Sequence, residues 1–232
     1  MTAQGPANGD TKLATVAEII DEARALGYVG PPASSEHIDH SRGFLEAARL
    51  VAPWLLDKAV ARTSQVRVLD LGSGGGLPGL VILAIWTSAH VTFLDSSTKR
   101  CDFVRNAVER LGVGARASVV GARAEEAGRH QELRASFDIV VARSFGPPPV
   151  TAECGAPFLR VGGILVVSEP PTSTRSHRWP AEHLAKLGLE PLDGVPLRYA
   201  YQVLRKVGVC PDTYPRRTGV PAKRPLYLVR DG

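Results

Sequence analysis

Val66-Arg-Val-Leu-Asp-Leu71 runs directly into Gly72-Ser-Gly-Gly-Gly-Leu-Pro-Gly79, and a second apolar run, Val91-Thr-Phe-Leu94, ends in Asp95. A strand that empties into a glycine turn constrains the fold strongly, because the turn lets backbone approach a ligand where any side chain would intrude. An acid ending the next strand is positioned to hold a ribose. Together the two features point to a ligand that contains a nucleoside. Without a ligand, the same residues make a tight strand-to-helix turn and a surface aspartate.

Beyond the turn the pattern alternates. Apolar or β-branched runs end at Leu71, Leu94, Val120, Val141 and Val167, with helix-like stretches near 79–86, 97–111, 123–134 and 149–159 between them. This alternation predicts βαβ units and a mostly parallel sheet covered on both faces, an α/β fold. Ahead of the turn, Thr15-x-x-Glu18 has capping-box spacing, and Val16, Ile19, Ile20, Ala23 and Leu26 recur at helical intervals up to Gly27. After Gly30-Pro-Pro32, Ser34 or Ser35 caps a second helical stretch running from Phe44 to Leu56, interrupted at Pro53. Residues 1–12 read as a flexible terminus, 13–62 as an N-terminal helical cap and 63–232 as the ligand-binding domain. Pro170 to Pro180 reads as a surface loop, followed by a helix near 180–187 and strand-like runs Arg198 to Leu204 and Leu226 to Val229.

With 232 residues, 44% of them hydrophobic, the chain can bury one sizeable core. No apolar run approaches the roughly 20 residues of a membrane span, and Met1 to Lys12 lacks a signal-peptide core, so a cytoplasmic protein with no membrane partner is expected. Cys101, Cys154 and Cys210 are far apart with no C-x-x-C spacing, which argues against both a disulfide framework and zinc. Residues 1–60 hold eight acids and five bases, net −3; the whole chain is +5, so residues 61–232 carry +8. From Arg198 to Arg230 eight bases face the single acid Asp212. That density favours a polyanionic partner, the alternative being a solvated basic tail.

Gly74-x-Gly76-x-x-Gly79 matches the dinucleotide fingerprint. Against a dinucleotide, Asp70 ends the strand where a carboxylate would repel a pyrophosphate but pair with a cationic, amino-bearing ligand. Asp70 can equally cap the following helix. The Asp70-x-Gly72-x-Gly74-x-Gly76 pattern with Asp95 resembles the first two motifs of class I S-adenosylmethionine-dependent methyltransferases, which have a Rossmann-like fold. In that resemblance the turn from Gly72 through Ser73, Gly74 and Gly76 to Leu77 borders the cofactor, and Asp95 accepts from both ribose hydroxyls.

Further motifs narrow the likeness. Leu77-Pro-Gly79, Leu94-Asp-Ser-Ser-Thr-Lys-Arg100, Gly121-Ala-Arg-Ala-Glu-Glu126, Val141-Ala-Arg143 and the segment from Tyr214 to Leu226 resemble successive motifs of the RsmG (GidB) family, over roughly residues 64–232. The resemblance implies methyl transfer from S-adenosylmethionine to N7 of a guanine in small-subunit (16S) ribosomal RNA by a cytoplasmic, monomeric enzyme. It implies that Ala124 and Glu125 border the adenine and that Arg143 is catalytic, at the junction of cofactor and substrate. Arg216, Arg217, Lys223 and Arg224 would grip phosphates. After Gly162-Gly163 the family has a lysine at the strand end, where this chain has Glu169, an anion expected to face the substrate, read a donor or act as a base. The alternatives are a methyltransferase acting on another RNA site or a small molecule, and a non-catalytic protein that binds nucleoside and RNA. His37-x-x-His40 lacks a partnering cysteine or acid cluster and reads as surface or helix packing, so no metal is assigned.

Overall fold

The structure, a computed structural model, describes residues 7–54, 65–170, 178–192, 195 and 197–229. Two helices, α1 (Ala7–Ala25) and α2 (Ser34–Val51), precede the sheet. Then come β1 (Val66–Leu71), α3 (Gly79–Ile85), β2 (Ala89–Asp95), α4 (Thr98–Arg110), β3 (Ala117–Gly121), α5 (Ala124–Ala127) and β4 (Phe137–Ala142). The chain continues through α6 (Pro148–Gly155), β5 (Leu159–Glu169), α7 (Ala181–Leu184), β6 (Leu189–Pro191), β7 (Ala200–Lys206) and α8 (Val220–Lys223).

The described strands form one seven-stranded sheet in the order β3-β2-β1-β4-β5-β7-β6. Strands β1 to β5 pair in parallel, while β7 runs antiparallel to both β5 and β6. The order reverses between β1 and β4, so the carboxyl ends of these two strands open a crevice suited to a ligand. This is the mostly parallel, doubly covered α/β sheet that the alternating pattern anticipated, and it agrees with the Rossmann-like fold that the resemblance implies. Central strands are predominantly apolar because both faces are covered: all six residues of β4, Asp138 among them, are buried.

One face packs α1, α2 and α3 against the sheet. Val16, Ile19, Ile20, Phe44, Leu45 and Ala48 join Val68, Leu80, Phe93 and Val203 in a single apolar cluster. Each buried aliphatic side chain contributes on the order of 1.5–3 kcal/mol, so the first two helices share the core of the sheet. Helix α2 sits close on β7 at Gly43, where a Cβ would run into the Tyr201 ring, and the Tyr201 hydroxyl donates to the His40 carbonyl at 2.6 Å.

Four local expectations are corrected. Helix α1 begins at Ala7, inside the segment read as flexible, and Thr15 lies within it, its hydroxyl bonded to the Thr11 carbonyl. Leu13 already packs on the core, and helix propagates cheaply outward from such an anchored turn. Helix α5 stops after four residues instead of running to 134, because Pro215 crosses against Gly128. Leu226 to Val229 is not a strand, since the sheet ends at β6 and Tyr227 packs on the His183 ring instead. The stretch 159–169 starts a strand where the expected helix ended at 159, the helical part closing with a short turn at Ala156–Phe158. Residues 55–62 of the expected cap and 171–177 of the expected loop lie outside the described residues.

Candidate functional site

Two cavities open at the carboxyl edge of the sheet and meet at Gly72, Arg100 and Ser144, which line both. The larger, about 350 Å³, lies over the ends of β2 and β3 and is bordered by Asp95, Ala124, Glu125, Phe145, Pro147 and Ala222. The smaller, about 260 Å³, lies between the glycine turn and the segment joining α1 to α2, bordered by Tyr28, Gly30, Ser73, Gly74, Leu77 and Arg143.

The turn at Gly72 is held by two bonds into the adjoining strand: the Gly72 and Ser73 N–H groups both donate to the Leu94 carbonyl, at 2.8 and 3.0 Å. Gly72 has φ +69°, and a Cβ there would sit 2.5 Å from Cδ2 of Phe145. Only glycine keeps both the left-handed conformation and the Phe145 ring in place. Asp95 faces the larger cavity with a fixed carboxylate, Oδ2 accepting from Gly74 N–H at 2.9 Å and Oδ1 from Ser97 N–H at 2.9 Å. Each oxygen keeps a further lone pair for a ligand. Arg100 lies 3.8 Å from Asp95 Oδ2, and its guanidinium rests over the Tyr28 ring at 5.8 Å. Glu125 Oε1 accepts from Gly219 N–H at 3.0 Å, and Thr218 bonds Glu126. These contacts fasten the C-terminal segment along the cavity, where Ala222 forms part of the wall.

At the smaller cavity Arg143 is largely buried at the end of β4. Its Nη2 is hydrogen-bonded to His37 Nδ1, and Nη1 is buried without a partner among the described residues. Burial lowers the Arg143 pKa, while Tyr201 and Asp70 favour its charged form. His37 is itself buried and bonded through Nε2 to the Gly30 carbonyl at 3.2 Å. His40 stacks on Tyr199 at 4.7 Å, and burial first, then Arg143, holds its pKa down to about 4.

Of the residues singled out in the sequence, the fold thus brings Gly72, Ser73, Gly74, Leu77, Asp95, Ala124, Glu125 and Arg143 to these two cavities. Four others stand differently. Asp70 is fully buried beneath the turn, Oδ2 accepting from the Gly79 N–H at 2.8 Å, so it fastens the start of α3 and borders neither cavity. Burial raises its pKa to about 7, against the opposing pull of that hydrogen bond. Gly76 (φ +88°) borders neither cavity; a Cβ there would meet Leu80 at 2.5 Å, so it serves the turn into α3. Glu169 is not a free anion facing substrate: Arg178 Nε binds Oε2 at 2.6 Å and the Trp179 indole N–H binds Oε1 at 3.0 Å, leaving the carboxylate neutralised and buried. Arg216 is likewise committed. It reaches inward to the fully buried Glu153 on α6, with Nε at 2.9 Å and Nη2 at 2.6 Å, while Arg217 and Lys223 stay exposed.

The sequence reading passed over Arg100, Tyr28, Phe145 and the His37 link to Arg143. Arg100 lies five residues past Asp95, in the first turn of α4. The His37 link joins residues 106 apart, and nothing in the spacing announces it. Ser144, at φ +55°, shapes the rim of both cavities without being a glycine.

A family model described as rRNA small subunit methyltransferase G matches residues 46–177. A Rubrobacter xylanophilus protein named ribosomal RNA small subunit methyltransferase G is 38% identical over 170 residues, 69% of this chain and 65% of that protein. The same name attaches to a Roseiflexus castenholzii protein, 33% identical over 80% of this chain and 79% of its own length. The chain thus spans just under two thirds of the Rubrobacter relative. A solved structure of a Corynebacterium glutamicum protein superposes with TM-score 0.52 at 17% identity, covering 84% of this chain and 90% of that one, which agrees with the fold. Among the described residues no helix is long and apolar enough to cross a membrane.

Proposed function

The chain belongs to the rRNA small subunit methyltransferase G family, and from that premise we propose that it transfers the methyl group of S-adenosylmethionine to N7 of a guanine in small-subunit ribosomal RNA. The observation that carries this reading is the pair of cavities joined at Gly72, one bordered by the aimed carboxylate of Asp95 and the other by the glycine turn and Arg143.

The residues fit this donor. Asp95 keeps lone pairs for two ribose hydroxyls, Gly72 needs the absence of a Cβ, and Phe145, Ala124 and Pro147 offer apolar surface to a base. Asp70, buried below the turn, adds acidic potential under the smaller cavity whenever it is ionised. Bound there, S-adenosylmethionine supplies an electrophilic methyl on a sulfonium centre.

Guanine N7 presents an unprotonated lone pair, so the protein has no proton to remove and works chiefly by positioning. Arg143 borders the smaller cavity, where a guanidinium suits the acceptor's carbonyl edge or a phosphate. Arg217, Lys223 and Arg224 form an exposed basic group beside Ala222 at the cavity wall, which suits the RNA backbone. With Glu169 paired to Arg178, that carboxylate does not repel phosphate from its edge of the sheet, and this favours RNA over a small-molecule acceptor.

Calorimetry with S-adenosylhomocysteine tests the donor site. Wild-type protein is expected to bind, and Asp95→Ala to bind roughly 10²- to 10⁴-fold more weakly, the loss of two hydrogen bonds to a charged acceptor. Equal affinity in the two proteins would refute the assignment of Asp95.

A further inference from the structure

We propose that His37 is a positioning residue that holds Arg143 and the α1–α2 connection on opposite walls of the smaller cavity, through a neutral imidazole protonated only at Nε2. The inference rests on the proposed methyl-transfer reading for its functional part, but the clamp itself is a matter of hydrogen-bond geometry.

Arginine has only donors. Because Arg143 Nη2 bonds His37 Nδ1, that nitrogen must be the acceptor and the single ring proton must sit on Nε2. Nε2 in turn meets the Gly30 carbonyl at 3.2 Å, where it donates. Every polar atom of the ring is therefore committed in one tautomer. Gly30 and Arg143 both line the smaller cavity, and His37 itself is 2% exposed, so the ring links the two walls from behind. Arg143 is left with Nη1 buried and free, a donor with no protein partner among the described residues, which is what a group waiting for a ligand acceptor looks like.

A proton added at Nδ1 would set two donors against each other and release Arg143. The charged groups around the ring are Arg143 from the end of β4, Arg24 from α1, and Glu36 and His40 from α2 itself. Burial first, and then Arg143, lower the His37 pKa below its ordinary 6.5; the Gly30 carbonyl and Glu36 oppose this. The clamp is therefore closed at neutral pH and opens in acid, so methyl transfer should fall as pH drops through a value below 6.5.

Two readouts test this, one of them independent of any reaction. In ¹⁵N NMR of the intact protein, with His37 assigned through its loss in His37→Asn, the ring is expected as the Nε2–H tautomer at neutral pH. Its pKa is expected below 6.5 and raised in Arg143→Gln. An Nδ1–H tautomer, or a pKa indifferent to Arg143→Gln, overturns the proposal. In methyl transfer to small-subunit RNA, His37→Ala is expected to lower kcat roughly 10- to 100-fold with a smaller change in the KM for S-adenosylmethionine. His37→Asn keeps an acceptor near Nδ1 and does not titrate, so it is expected to recover much of kcat and to lose the acid limb. Wild-type kcat in His37→Ala, or an unchanged acid limb in His37→Asn, overturns the proposal even if the alanine variant folds poorly. A clamp seen by NMR in a protein that transfers no methyl group counts against the proposed function and leaves the clamp standing.

Discussion

Replacing Arg216 by alanine separates a structural role from an RNA-gripping one. The Glu153 carboxylate is fully buried on α6 and is bound by Arg216, through its backbone N–H at 2.9 Å, Nε at 2.9 Å and Nη2 at 2.6 Å, its hydrogen-bond partner among the described residues. The pair in turn raises the Arg216 pKa, the hydrogen bond to Glu153 being the main cause. Removing one member of a buried ion pair costs about 3–5 kcal/mol, because the other charge is stranded. Here the backbone N–H survives the substitution and the Arg216 side chain is 27% exposed, which places the cost near the lower bound, about 3 kcal/mol. For a chain of this size each kcal/mol shifts Tm by about 2–4 °C, so thermal denaturation near neutral pH should show a loss of about 6–12 °C. Adding Glu153→Gln removes the stranded charge, and the double variant is expected to regain part of the loss in a double-mutant cycle. An Arg216→Ala protein with unchanged Tm, but with weaker RNA binding and a shallower salt dependence, would refute the reasoning and return Arg216 to the phosphate-binding set.

Arg217→Ala/Lys223→Ala, which alters exposed side chains, should leave Tm within about 1 °C yet weaken RNA binding and reduce its log-salt slope by about 1 to 2; an unchanged slope would exclude both from the interface. Gly72→Ala should cost about 1–3 kcal/mol through strain at φ +69° and largely abolish S-adenosylhomocysteine binding by displacing Phe145, and wild-type binding would show that the ring has room to move. Asp70 titrates at about 7 in the fold against an ordinary 3.8. Its carboxyl therefore holds a proton more firmly folded than unfolded, so its own contribution to stability is fully present below about pH 4 and declines by up to roughly 4 kcal/mol as pH rises to about 7. Denaturant titrations should show that decline in the wild type and its absence in Asp70→Asn, which keeps an acceptor for Gly79; parallel pH profiles would contradict the assigned pKa.

The strands were legible because a doubly covered parallel sheet needs predominantly apolar, β-branched runs, and Val66–Leu71, Val91–Leu94 and Phe137–Ala142 are such runs apart from Arg67, Asp70, Thr92 and Asp138. The site edge was legible for a related reason. Ligand-facing positions follow directly from strand ends, so Gly72, Asp95 and Arg143 could be placed from local pattern alone. What pattern could not show is which charges are spent inside the protein. Asp70, Glu169 and Arg216 looked like ligand-facing groups, but each is engaged by a partner whose position depends on the tertiary fold: Gly79 at one Asp70 oxygen, Arg178 with Trp179, and Glu153. The same blindness hid His37, which without a ligand cluster in sequence read as surface or helix packing and which the fold brings to Arg143. Helix α5 was overestimated because its end is set by Pro215 packing on Gly128, a contact between segments distant in the chain.

The central claim is that the two joined cavities serve methyl transfer to small-subunit RNA. Its most direct measurement incubates the protein with methyl-labelled S-adenosylmethionine and small ribosomal subunits that lack the modification, then maps the label by nuclease digestion and mass spectrometry. Label is expected in 7-methylguanosine at a single position of the RNA, and is expected to be lost with Arg143→Ala. Label at another atom or nucleotide type, or no transfer by a protein that binds S-adenosylhomocysteine normally, would contradict it.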